Sequence, residues 1–381
     1  MVLRVGLFYP NAPSIHVMSA EVAKANLDVT DMATHLEVAG AAEEIGLDYL
    51  FVADGWGGYG QASTDTNGQA TGTSVNMTAP IMCAALAPMT SQIGLISTIH
   101  TSWYHPLLLA RIGTAINNLS GGRWGVNIVS GSGFTDHLLG GPVSQLGHEE
   151  RYERAAESVE IASQAWARGH VEFSGTHFEL SGPLAGPTTS PRPLIVSAGA
   201  SEAGRNFAGR FADYIFMPGR TSLDQCADSL KDIRAIAQEA GRPANSVHLQ
   251  MHASVIVGET QAEADDRIAW VRDRVDLDAT RRYLTSVRQN VSTYDEIYSS
   301  MGELELRSIG MVSGARTCHG TASEVADQFE ILHDEFGAGG VAVTLPVWNG
   351  EEIRRFGRLV LPELARRGLW EHHRSRGGWS W

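Results

Sequence analysis

At 381 residues the chain is long enough to bury roughly three quarters of its unfolded surface, so it needs no covalent staple. Acids outnumber bases by 43 to 29, a formal net charge of −14, and there is no basic run; this argues against nucleic acid or an anionic membrane surface as partner. Cys83, Cys226 and Cys318 are scattered and odd in number, which reads as free thiols in a reducing cytoplasm, and no apolar run approaches the ~18 residues of a membrane span.

Residues 3–10 (LRVGLFYP) form a first apolar strand, with no signal-peptide layout ahead of it. Residues 32–46 carry helical spacing, with Leu36, Ala39, Ala42 and Ile45 on one stripe and Gly46 as the cap. Residues 49–54 are strand two, ending on Asp54, and Gly55 opens a long polar loop reaching Ser74. A helix over 77–86, strand three over 92–100 and a helix over 106–118 lead to GGRWGVNIVSG, residues 121–131. That stretch is a glycine turn, an apolar fourth strand over Trp124–Val129 interrupted by Asn127, and a glycine loop. A strand apolar on both faces belongs to a parallel sheet covered by helices, and a buried amide within it needs a partner, either neighbouring backbone or a ligand.

Residues 148–168 form a long amphipathic helix with Ala155, Val159, Ala162 and Trp166 on one face. Residues 171–180 alternate around Ser174-Gly175, a hairpin outside the main sheet. Strand five spans 193–199 and a helix follows from Glu202 to Phe211. Strand six spans 214–218, with a helix over 223–241. Strand seven lies within 248–258, strand eight spans 340–346, and the last helix spans 351–367. Between strands seven and eight, residues 259–339 are helical in pattern and hold the largest insertion. The tail, 370–381, has no period and reads as loose or at a subunit contact, with His372-His373 solvated.

Eight strands separated by helices make an α/β chain with (β/α)8 TIM-barrel architecture, one domain over 1–369 and a tail over 370–381; the alternative is an open doubly wound sheet. A barrel places function at the C-terminal ends of its strands, where Asp54, Gly55, Thr98, His100, the stretch from Asn127 to Gly133 and the loop from Ala198 to Ser201 fall. There is no phosphate-loop motif, no HExxH, no GxSxG, no Cys-x-x-Cys and no histidine pair at metal spacing, so no metal is expected. SAGASEAG, residues 197–204, runs a strand into a helix start, and the amides near Gly199 and Ala200 with the Ser201 hydroxyl suit a phosphate as well as an ordinary cap. Arg151 and Tyr152 either reach the same anion or form a solvated pair. Asp136 is a turn residue or a ligand contact, Thr98 a strand residue or a donor, and His100 a wall residue or a catalyst.

These motifs, with STIHTSWYHP (97–106), HEERYERAAES (148–158) and GVAVTLPVWNGEEIRRFGRLVLPEL (340–364), resemble the bacterial luciferase-like flavin monooxygenases. The likeness is to the two-component branch with pyrimidine oxygenase, nitrilotriacetate, dibenzothiophene-sulfone and alkanesulfonate monooxygenases. The resemblance implies a TIM barrel that takes reduced FMN from a separate NAD(P)H-dependent flavin reductase and uses O2 to oxygenate a small organic substrate, with carbon–sulfur, carbon–nitrogen or amide and ring cleavage all open. It implies a homodimer or homotetramer. Residue by residue, it implies Asn127 at the flavin ring and oxygen pocket with Thr98 beside it, Asp54 and Gly55 at the flavin, Tyr152 and Ser201 at the phosphate with Arg151 adjacent, and Asp136 at a further FMN contact. Trp56, Tyr59, Trp103 and Tyr104 are placed to exclude water. The loops over 57–74 and 132–147 depart from the pyrimidine oxygenase pattern, and Arg307 and Arg316 read as ordinary surface or helix-end arginines rather than anion holders. The competing expectations are a deazaflavin F420-dependent oxidoreductase on the same barrel and a flavin-binding protein without turnover.

Overall fold

The computed structural model describes residues 2–9, 11–14, 17–55, 76–131, 140, 142–217, 222–290, 302–312, 315–376, 378 and 380–381. Its strands are β1 Arg4–Tyr9, β2 Tyr49–Val52, β3 Gly94–His100, β4 Trp124–Val129, β5 His170–Ser174, β6 Glu179–Pro183, β7 Leu194–Ser197, β8 Tyr214–Met217, β9 His248–Val257, β10 Arg316–Gly320 and β11 Ala338–Thr344. Strands β1, β2, β3, β4, β7, β8, β9 and β11 pair in that order, all parallel, and β11 returns to β1. The sheet is a closed (β/α)8 barrel, not the open alternative. The hairpin β5–β6 is a separate antiparallel pair, as expected.

Both faces of the barrel strands are apolar for different reasons. Inward positions Phe8, Phe51, Ile96, Leu194, Val196 and Tyr214 form one cluster inside the barrel, with Phe8, Phe51 and Phe216 rings 5.1–5.5 Å apart. Outward positions such as Val5, Leu50, Leu95 and Val126 join the helices in the larger core. The helices that matter for the site are α1 Ala20–Ala25, α2 Met32–Glu44, α3 Ala79–Leu86, α4 Pro106–Leu119, α5 His148–Arg168 and α6 Glu202–Phe211. The α5 stripe foreseen from spacing is buried: Ala155, Val159, Ala162 and Trp166 are at most 2% exposed. Trp166 stands edge-on to Trp124 at 5.9 Å, and both rings lie over Gly113 of α4, where a Cβ would come within 2.5 Å of the Trp124 ring. These contacts pin α4 and α5 to β4.

The glycine turn before β4 is real, with φ of 65° and 88° at Gly121 and Gly122, and it turns Arg123 into the wall. The buried guanidinium donates to the carbonyls of Ala87, Thr90 and Ile93 and to the Thr90 hydroxyl. Arg123→Met is expected to lower stability by about 2 kcal/mol, because it strands buried carbonyls whose desolvation is no longer offset. The urea midpoint measures it, and an unchanged midpoint would refute this account.

The insertion departs from its helical pattern. After α7 Leu223–Glu239 and β9, the insertion contains α8 Gln261–Asp273, α9 Leu277–Asn290, α10 Glu303–Val312 and α11 Ala322–Asp334, but also the strand β10. β10 pairs with the upper half of β9, Ala253 to Val257, beyond the reach of β8. Its sequence, RTCHG, has no apolar alternation, so its extended form is set by the free edge of β9 rather than by its own pattern. Arg307 bonds Glu303 and the carbonyls of Arg272 and Asp273, and Arg316 lies over the Phe336 ring.

The tail corrects a second expectation. The final helix, α12 Gly350–Arg366, is followed by a packed segment: Trp370 is 6% exposed and His373 is fully buried. His372 is stacked near Gly46, whose φ of 83° makes the turn after α2. The two histidines are therefore packing residues rather than solvated ones. Among the described residues no helix is long and apolar enough to cross a membrane.

Candidate active site

β3 and β4 carry the inward pair at the C-terminal end of the barrel. Register places Thr98 opposite Asn127 and Asn127 opposite Val196. The Asn127 amide donates from Nδ2 to the Thr98 hydroxyl at 3.2 Å, and both side chains are buried. Asn127 Oδ1 has no hydrogen-bond partner among the described residues. A buried carbonyl oxygen left unpaired costs about 1–3 kcal/mol, so this atom is an acceptor held ready for an N–H that the described residues do not provide. His100, two residues beyond Thr98, donates from Nε2 to the Asp54 carbonyl at 3.0 Å and so ties the end of β3 to the end of β2.

Asp54 is turned to a task the sequence did not suggest. Its Oδ2 accepts the Ala79 amide at 2.8 Å, which caps α3, since Thr78 at the cap position makes no side-chain bond there. Gly55 is fixed beside it by reciprocal backbone bonds with the Asn76 amide, at 3.1 and 3.3 Å. Burial pushes the Asp54 carboxyl up to about 6, against the pull of the Ala79 and Gly55 amides. An acid whose pKa rises on folding binds its proton more tightly when folded. Its contribution to stability is therefore greatest at low pH and is lost as pH rises from the ordinary carboxylate range through about 6. Asp54→Asn keeps the capping oxygen and removes the titration. The melting temperature of the variant should thus gain on wild type between about pH 4.5 and about pH 7.5; a gap that stays constant or narrows over that interval would contradict it.

The second half of the site lies on the neighbouring rim. Ser201 caps α6, its hydroxyl accepting the Gly204 amide at 3.1 Å and meeting His148 Nε2 at 2.9 Å. Tyr152 lies beside Ser130 and Ser201, and burial raises its phenol above the usual range against the pull of those two hydroxyls. Gly199 is glycine because the space is taken: a Cβ there would lie 2.3 Å from the Tyr152 hydroxyl and 2.8 Å from the Gly204 Cα. The result is a set of hydroxyls and an imidazole around a helix N-terminus, the chemistry of a phosphate site. Ala200 is exposed on this loop, where its carbonyl accepts from Arg205. Arg151 is half-buried and donates to the Leu146 carbonyl at 2.9 Å.

His148 was missed from sequence, and Ser130 was placed at the rim only as part of the stretch from Asn127 to Gly133, with no role of its own. His148 stands four residues before Tyr152, on the same face of α5, and that spacing was the available signal. The signal for Ser130 was its place at a strand end. Trp103 is half-buried and Tyr104 is 8% exposed. Asp136, Trp56 and Tyr59 lie outside the described residues.

The family model described as luciferase-like monooxygenase matches residues 3–338. The chain belongs to the luciferase-like monooxygenase family. This monooxygenase is 26% identical to nitrilotriacetate monooxygenase component A of Aminobacter aminovorans, over 89% of this chain and 87% of the relative. It is 30% identical to the long-chain alkane monooxygenase of Geobacillus thermodenitrificans, over 90% and 84%. A crystal structure of long-chain alkane monooxygenase superposes with a TM-score of 0.86 at 25% identity, covering 97% of this chain and 93% of that one. Riboflavin lyase with modified FMN and riboflavin superposes at 0.85 and 23% identity, over 100% and 94%, which establishes the shared fold. The enzyme is accordingly a flavin-dependent monooxygenase that uses reduced flavin and O2.

Proposed function

We propose that the chain oxygenates a small organic substrate with reduced FMN, supplied by a separate NAD(P)H-dependent flavin reductase, and O2. The observation that carries the reading is the Asn127 Oδ1, unpartnered among the described residues and beside Thr98, on the same rim as the Tyr152–Ser201–His148 cluster. One end suits the N–H edge of a flat heterocycle and the other a phosphate, which is the layout of FMN. FMN when bound supplies two-electron activation of O2. The protein's part is to hold and orient. Asn127 and Thr98 fix the ring edge and present donors where negative charge develops on oxygen. Ser201, Tyr152, Ser130 and His148 hold the phosphate, aided by the α6 N-terminus and the amides at Gly199 and Ala200, while Arg151 adds positive charge nearby. Asp54 and Gly55 shape the wall through α3 and the β2 end, with His100 tying β3 to them. Trp103 and Tyr104 help exclude water, which strengthens every polar contact within.

Oxidative cleavage at carbon–sulfur, carbon–nitrogen or amide bonds is the reaction class proposed, and a homodimer or homotetramer the assembly. Anaerobic titration with reduced FMN and with reduced F420, followed by mixing with O2 and a substrate panel, tests the reading. Binding of reduced FMN with substrate-dependent oxygen uptake supports it. Binding of F420 alone, with hydride transfer and no oxygen uptake, replaces it.

A further inference from the structure

We infer that Trp381 is a positioning residue for the Asn127–Thr98 pair, acting from the far end of the barrel. The inference rests on the FMN reading above. Alternation along β4 puts Gly125 on the inward face two residues before Asn127, and along β3 it puts Ile96 two residues before Thr98. Register sets Ile96, Gly125 and Leu194 side by side, as it does Thr98, Asn127 and Val196 one layer above. Gly125 lacks the side chain this layer needs. The gap is filled by the Trp381 indole, which a Cβ on Gly125 would meet at 3.2 Å, with Leu194 at 3.1 Å and Ile96 at 3.3 Å. Trp381 packs into the inner cluster with Ile96, Leu194 and Val196.

The segment that delivers this indole is held by charge. Arg376 pairs with Asp48, which also binds Arg4 at 3.2 Å and the Val5 amide at 2.9 Å. Arg4 in turn donates to the Trp381 carbonyl at 3.4 Å. Arg4 and Asp48 stand where β1 and β2 begin, so the segment is anchored at the mouth opposite the site. Interiors are close-packed, and a void in one layer lets the next shift. A shift well under an ångström in the Asn127 amide would misplace the acceptor it offers.

The test measures reduced-FMN affinity, product formed per FMN oxidised, and melting temperature for wild type, Trp381→Ala, Trp381→Phe, Gly125→Ala and the Gly125→Ala/Trp381→Ala pair. Trp381→Ala is expected to weaken FMN binding by about tenfold and lower coupling, with Trp381→Phe close to wild type, in keeping with the steep cost of small misplacements. Gly125→Ala, which crowds the indole, is expected to weaken binding about threefold alone and less in the double variant, a non-additivity that marks direct contact. If Trp381→Ala does not fold, Gly125→Ala against wild type decides. A fall in melting temperature with FMN affinity and coupling unchanged overturns the inference and leaves Trp381 merely structural. Failure of wild type itself to bind reduced FMN would instead overturn the cofactor reading on which the inference stands.

Discussion

Asn127→Ala is expected to cut coupled oxygenation by about 10²- to 10³-fold, the range seen when one preorganised donor is removed from a site where charge develops. The change removes the buried Oδ1 acceptor and the Nδ2 donor to Thr98 together. The barrel should survive, since neither atom bonds to any other element of it among the described residues. Product formed per FMN oxidised falls, hydrogen peroxide released rises to match, and the melting temperature stays near wild type. Full coupling with normal FMN affinity in Asn127→Ala would remove the central claim about this site. Thr98→Val, which keeps shape and loses only the hydroxyl, should show a smaller change in the same direction.

Gly199→Ala carries the second large effect, and it separates the two halves of the site. The added Cβ meets the Tyr152 hydroxyl at 2.3 Å and the Gly204 Cα at 2.8 Å. A tyrosine can swing, but the Gly204 backbone sits in the first turn of α6 and moves only with the helix. The cradle therefore opens. FMN affinity should fall about 100-fold, near 3 kcal/mol, while riboflavin, which has no phosphate, should bind within about threefold of wild type. The ratio of the two affinities is the readout, because general loosening of the fold lowers both. An unchanged ratio places the phosphate elsewhere.

Much of this was open to reading in the chain because parallel barrels are written in long apolar runs. The strands β1 to β4 and the helices α2, α4, α5 and α6 fall where spacing and capping put them, within a few residues. The site's position followed from the same logic: Asp54, Thr98 and Asn127 end up at one rim because they end successive strands of a closed parallel sheet. An isolated amide inside an apolar strand called for a partner, either neighbouring backbone or a ligand, since burial without one is costly.

What the sequence alone determined is thus the barrel, its polarity and Asn127, the polar residue set within the apolar β4. These depend on periodicities of a few residues, which a linear reading captures. Only the tertiary structure decided the partners. Register across β3 and β4 chose Thr98 for Asn127. The packing of Trp124 and Trp166 on Gly113 set α5 so that His148 and Tyr152 reach Ser201. The open edge of β9 made a strand of residues that carry no strand pattern, and Asp54 became the cap of α3. The packed tail and Trp381 under Gly125 belong to the same class, for one physical reason. Each is a contact between residues tens to hundreds of positions apart, whose energy exists only once the barrel has brought them together.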